Sequence, residues 1–227
     1  MRTFTKFLAA SAAALSVAAV ASAGHAATVT IWADDGDGSG LHQIAAGTDT
    51  ASFSGVLGAF TVNHLSGSAG DSPVSDTQAL DTIARGGAGG DLTVFVSVTG
   101  LTEPLGDIEW LSTFQTQPLG AGWSLTENTW LSPLDQPQTG TPLGSASMTT
   151  DALPQEFHDF ATVDTGPGPY AINTEYVLHA GGAGSANSTI DVFNEGIPEP
   201  TTWGLMIMGF GGIGALVRGR RRQAALA

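Results

Sequence analysis

Few residues in this 227-residue chain have types and spacings that could do chemistry, and most of those are acidic. There is no cysteine, which closes thiol nucleophiles, iron-sulfur clusters and cysteine zinc sites. No lysine follows Lys6, which closes Schiff-base and lysine-base mechanisms. The first acidic cluster is Asp34-Asp35-Gly36-Asp37-Gly38-Ser39-Gly40, where Asp35, Asp37 and Ser39 followed by Gly40 match the opening of a calcium loop. The position that should carry a bidentate Glu is Ala46, so the helical calcium-loop template fails at a principal ligand. The simpler reading is a polar hairpin turn in which Asp-Gly pairs supply positive φ. Calcium stays a candidate for Asp35, Asp37 and Ser39 because divalent ions would relieve repulsion among the carboxylates.

The second cluster is Glu156-Phe157-His158-Asp159. On a strand, Glu156 and His158 share one face and Asp159 takes the other, a geometry open to metal or acid-base work. His42, His64 and His179 have no short spacing to it, and a surface strand of ordinary polar residues is preferred. No G-x-S-x-G nucleophile elbow exists, and Gly144-Ser145-Ala146-Ser147-Met148 does not replace one. No catalytic residue is assigned, and the expectation is a protein that is not an enzyme. A glycosidase needs only two carboxylates, together with a cleft and aromatic platforms. Trp32, Trp110, Trp123 and Trp130 could supply sugar-stacking surfaces, although such residues more often pack cores and turns. Trp123 and Trp130, seven apart, would lie on opposite faces of one straight strand. Asn187-Ser188-Thr189 fits a glycosylation acceptor and is read as a turn before a strand.

The elements that must position these residues read as strands. Asp91 to Gly100 alternates, with Leu92, Val94, Val96 and Val98 on one face and Thr93, Phe95, Ser97 and Thr99 on the other, Phe95 implying that the second face is partly covered. Shorter alternating runs occur at Thr28 to Trp32, Ala51 to Leu57, Phe60 to Leu65, Gly122 to Leu131, Phe157 to Val163, Tyr170 to Ala180 and Thr189 to Phe193. Thr77 to Arg85 could make one short helix. Segments 67–76 and 133–147, rich in Ser, Gly, Pro and Thr, are expected as mobile loops, and Asn194 to Ile197 as a short tether. The expected fold is mainly β, a single secreted β-sandwich-like domain over residues 27–197, followed by one C-terminal transmembrane helix.

Charge separates the ends from the middle. Residues 27–197 hold twenty acidic residues and the single base Arg85, a formal charge of 1 − 20 = −19, which argues against nucleic-acid binding. At the N-terminus, basic Met1 to Lys6 precede an apolar run from Phe7 to Val20 and small residues, the pattern of a signal peptide over residues 1–26 cleaved after Ala23 or Ala26. At the C-terminus, Pro198-Glu199-Pro200 and Trp203 precede a Gly-rich apolar stretch, then Arg218, Arg220, Arg221 and Arg222 and a tail at 223–227. Residues 201–217, at about 1.5 Å per residue, would give a helix of roughly 25 Å, the short limit for a bilayer, with the arginines as a cytoplasmic anchor. Gly209-x-Gly211-x-x-Gly214 fits a dinucleotide fingerprint in letters alone, since neither a strand nor a βαβ unit surrounds it.

That ordered tail over 198–222 resembles the PEP-CTERM sorting signal of Gram-negative bacteria. The resemblance implies recognition of Pro198, Glu199, Pro200 and Trp203 by an exosortase-type membrane protease, removal of the helix, and delivery from the inner membrane to the cell surface or the exopolysaccharide matrix of a biofilm. It implies nothing about what the domain ahead of it binds. The leading expectation is a non-catalytic surface or extracellular-matrix protein. The alternative is a carbohydrate-binding or polysaccharide-acting protein with the same address.

Overall fold

The computed structural model describes residues 26–70, 75–85, 87, 89–150 and 153–194, with 75–85 described through their backbone. The segments expected as signal peptide (apart from Ala26) and as transmembrane helix, with Pro198 to Trp203 and the arginines, lie outside these residues. Twelve strands form two six-stranded sheets: β1 (Thr28–Asp34), β2 (His42–Thr48), β3 (Thr50–Leu57), β4 (Phe60–Ser68), β5 (Ser75–Arg85), β6 (Gly90–Leu101), β7 (Asp107–Thr116), β8 (Ser124–Ser132), β9 (Thr141–Thr149), β10 (Gln155–Asp164), β11 (Tyr170–Ala180) and β12 (Gly184–Asn194). Sheet A runs β2-β1-β6-β11-β8-β9 and sheet B runs β10-β7-β12-β5-β4-β3. Every pairing is antiparallel. Among the described residues no helix is long and apolar enough to cross a membrane.

Alternation builds the layers. Val29, Ile31, Val94, Val96, Ile172, Leu178, Leu125 and Leu131 of sheet A face Trp110, Phe114, Ile190, Val192, Val62 and Leu65 of sheet B in one buried core. Two edge-to-face aromatic pairs lie in it, Phe60 with Trp123 at 6.4 Å and Trp110 with Tyr170 at 6.1 Å between ring centres.

Both sheet edges are tied together. At one edge Asp49 carries the chain from sheet A to sheet B: its backbone has φ 59°, its N–H donates to the Ala27 carbonyl at 2.9 Å, and its side chain accepts from Ala27 N at 3.0 Å. At the other, Asp159 of β10 accepts from Ser145 N of β9 at 2.9 Å, so the outermost strand of sheet A does not present that N–H to solvent.

Three expectations are corrected. Thr77 to Arg85 is not a helix: it lies in β5, paired with β12 on one side and β4 on the other, and two ladders outweigh a weak local helical preference. Residues 133–147 are not one loose loop, since Thr141 onward forms β9 on β8, and the rest is clamped as described below. Within 67–76, Gly67 and Ser68 end β4 while Ser75 and Asp76 begin β5. Strands β2, β7 and β9 were not expected, and the interrupted patterns of their polar and small residues explain why.

Candidate functional site

The outer face of sheet A carries an aromatic and polar row that crosses all six strands. Register places Gln43, Trp32, Phe95, Glu175, Asn128 and Ser145 side by side. At about 4.8 Å between neighbouring strands, the row spans roughly 24 Å. Phe95 is 5% exposed although it points away from the core, because Trp130, one row along on β8, stacks on it at 5.7 Å between ring centres and 10° between planes. Trp32 and Trp130 themselves are half-buried. Asn128 Nδ2 donates to Glu175 Oε2 at 2.9 Å, and Ser145 Oγ donates to Asn128 Oδ1 at 2.7 Å. The polar half of the row is thus one connected network beside the aromatic half.

A clamped loop walls one side of this row. Asn173, fully buried on β11, donates from Nδ2 to the carbonyls of Thr139 at 2.7 Å and Gln136 at 3.2 Å, while its Oδ1 accepts from Ser97 Oγ at 2.5 Å and Gln138 N at 3.2 Å. Asp135 Oδ1 accepts from Gly100 N at 2.6 Å. An amide with all its bonds made fixes residues 133–140 over Ser97 next to Trp130. On the opposite side of the row the sheet continues through Thr93, exposed Val177 and Thr126 to the His179 and Asp91 pair at 2.6 Å.

The other chemical candidates fall elsewhere. Asp35, Asp37 and Ser39 occupy the β1–β2 turn, where Asp34, Asp35 and Asp37 accept from the N–H groups of Gly36, Asp37 and Ser39 at 2.9, 3.2 and 2.7 Å. The Ser39 hydrogen bonds hold the Asp37 carboxyl below its ordinary range. Among the described residues no group of three His or acidic side chains is placed to hold a metal. Glu156 and His158 do share the outer face of β10, 3.3 Å apart, each also bonded to β7 through Gln115 and Thr113, while Asp159 faces the other way. Trp110 and Trp123 are core residues, and Trp123 and Trp130 do lie on opposite faces. Asn187 lies within β12 rather than in a turn before it, at a bulge between Ala186 and Ser188, its carbonyl accepting from Gln117 N.

One acidic residue that the sequence did not single out is Glu127. It follows the inward register of Leu125, Thr129 and Leu131 and is fully buried between the sheets. Burial pushes its carboxyl up to about 8, opposed by a 2.5 Å hydrogen bond from Ser188 Oγ to Oε1; among the described residues Oε2 has no partner.

With the geometry in place, comparison with known proteins bears on the C-terminal segment of the chain. Residues 196–222 match the PEP-CTERM protein-sorting motif. The chain carries a PEP-CTERM sorting signal. Such a signal marks an exported protein and is of the kind processed by exosortase, a membrane protease. The PEP-CTERM match contains none of the sandwich. No curated protein matches the chain. Among solved structures, the carbohydrate-binding module TmCBM61 in complex with β-1,4-galactotriose aligns at 16% identity over 55% of this chain and 73% of that one, with TM-score 0.33. A PA14 sugar-binding domain from an RTX adhesin aligns at 13% identity over 78% and 93%, with TM-score 0.32. The C-terminal CBM6 of a Zobellia galactanivorans laminarinase aligns at 12% identity over 63% and 98%, with TM-score 0.29.

Proposed function

We propose that this chain is a non-catalytic exported protein of the cell surface or exopolysaccharide matrix, its β-sandwich being the mature body and its C-terminus a removable address. The observation that carries the reading is the sorting motif at 196–222 directly after the last strand, β12, which ends at Asn194. On this reading an exosortase-type protease acts near Pro198, Glu199 and Pro200, the apolar stretch 201–217 holds the precursor in the inner membrane, and Arg218 to Arg222 stay cytoplasmic. The test is mass spectrometry of the C-terminal peptide in outer-surface and inner-membrane fractions, with and without the sorting protease. A mature chain ending near residues 198–201 and found outside only with the protease supports the reading. Full-length chains in the inner membrane in both backgrounds refute it.

The second reading, a carbohydrate-binding or polysaccharide-acting protein, draws support from one specific feature, the aromatic and polar row on the outer face of sheet A. Glu175 is the sole carboxylate of that row, which fits binding better than two-carboxylate hydrolysis.

A further inference from the structure

We propose that the outer face of sheet A is a binding site for a neutral oligosaccharide, with Trp32 and Trp130 as the stacking surface, Phe95 backing Trp130, and Glu175, Asn128 and Ser145 as the hydroxyl-reading edge. The proposal deepens the matrix reading above by naming the ligand class and the residues. A pyranose ring has two weakly polar C–H faces and a rim of hydroxyls that both donate and accept. Its recognition therefore calls for an aromatic plane and, within a sugar's width of it, a paired acceptor and donor. The row supplies that combination on adjacent strands: the Phe95 and Trp130 stack meets over β11, and Glu175 projects from β11 beside Phe95.

The polar edge is set up in advance. Glu175 uses Oε2 for Asn128, and a carboxylate has acceptor sites beyond one bond. Asn128 holds Ser145 through Oδ1 and has a second N–H to donate. A ligand hydroxyl bridging Glu175 and Asn128 would join a network already ordered, so little side-chain entropy is lost on binding. The wall formed by residues 133–140 is likewise pinned by Asn173 before any ligand arrives. Trp32 stands about 14 Å across the sheet from Trp130, three strand spacings away, so two sugars of one chain could stack at separate points of the row.

Charge sets the ligand class. Glu175 lies in a domain whose residues 27–197 hold twenty acids against one base, so uronate or sulfated chains would be repelled and neutral chains would not. The carboxylate of Glu175 then acts as a hydroxyl acceptor, the stronger for being ionised.

The experiment uses the full chain purified in a sugar-free detergent, with tryptophan fluorescence and calorimetry against soluble β-glucan, mannan and galactan, and polygalacturonate as the charged comparison. Saturable binding to at least one neutral glycan is expected, weakened roughly tenfold or more by Trp130→Ala and by Glu175→Gln. N-bromosuccinimide oxidation, mapped by peptide, should slow at Trp32 and Trp130 when the glycan is present. Trp110 and Trp123, enclosed in the core, should stay unreactive throughout. Should Trp130→Ala fail to fold, the Glu175→Gln variant and the oxidation map on the unaltered chain decide. No binding to any neutral glycan overturns the proposal, as does binding that Glu175→Gln leaves unchanged with no protection of either tryptophan. A chain correctly cleaved and exported yet indifferent to glycans sinks the site and leaves the sorting reading standing. One that binds glycan but stays full-length in the inner membrane does the reverse.

Discussion

Glu127 should make the sandwich lose stability as pH rises, the opposite of ordinary acid denaturation. The folded carboxyl titrates at about 8 because it is buried, whereas in the unfolded chain it returns to 4.5. Below about 4.5 it is protonated in both states and costs nothing. Between 4.5 and about 8 the unfolded chain releases this proton and the folded chain keeps it, so unfolding becomes easier by about 1.4 kcal/mol per pH unit. Above about 8 the whole penalty is present, on the order of 5 kcal/mol across that interval. Against a total of about 5–15 kcal/mol for a domain, this is enough to bring the fold close to unfolding. Glu127→Gln keeps an oxygen to accept from Ser188 Oγ and abolishes the ionisation. The assay is urea unfolding of parent and variant at pH values from about 5 to 8.5, read by tryptophan fluorescence, taking the difference between the two so that the other nineteen carboxylates of the domain cancel. The variant should gain on the parent by several kcal/mol over that range. A difference constant to within about 0.5 kcal/mol would refute the reasoning, because it would mean that Glu127 meets water, or a cation, in the folded protein.

Three further perturbations separate the parts of the structure. Asn173→Ala strips partners from Ser97, Gln138 N and two loop carbonyls and should cost about 2–4 kcal/mol, with limited proteolysis cutting within 133–140 sooner than in the parent. Asp49→Gly should be milder than Asp49→Ala in thermal unfolding, because both lose the bond from Ala27 N but only alanine also resists φ 59°. Phe114→Ala, which empties a fully buried position between the sheets, should cost about 3–5 kcal/mol by chemical denaturation, well above the loss for half-buried Trp130→Ala.

The sequence made the sandwich legible wherever one face of a strand is apolar throughout. Leu92, Val94, Val96 and Val98 mark β6, and Tyr170 to Ala180 marks β11 to the residue. It failed where pairing partners, not local pattern, decide: β5 reads as a short helix until β4 and β12 flank it, and β9 reads as a Ser- and Gly-rich loop until β8 pairs with it. The candidate site was half legible. Trp32 and Trp130 were marked as possible sugar platforms, and Phe95 as a sign of cover on the second face. Asn128, Glu175 and Asn173 were not, because only the register across β6, β11 and β8 brings residues some 80 positions apart into one row. Glu127 was readable in principle, since a carboxylate at an inward position of an alternating run is a conflict that calls for an explanation.

The outer face of sheet A poses a problem that folding alone does not resolve. A sandwich needs one buried face per sheet, and sheet A already has one in its inward Val, Ile and Leu residues. On the outward side solvent exposure would suit Thr, Ser and charged residues, which is what Thr93, Thr126 and Ser147 provide. Phe95, Trp130 and Trp32 interrupt that pattern, and covering Phe95 takes an aromatic stack. Beside it a buried amide spends four hydrogen bonds on holding a loop in place, an arrangement whose failure at any one bond would leave a desolvated polar group. These aromatic side chains lie on the face away from the packing between the sheets, and the bonds of Asn173 hold the loop at 133–140 rather than that packing. What the arrangement does produce is a rigid wall, a partly open aromatic surface and a connected carboxylate and amide edge on the same outer face, and each of these lowers the ordering cost of holding a ligand there.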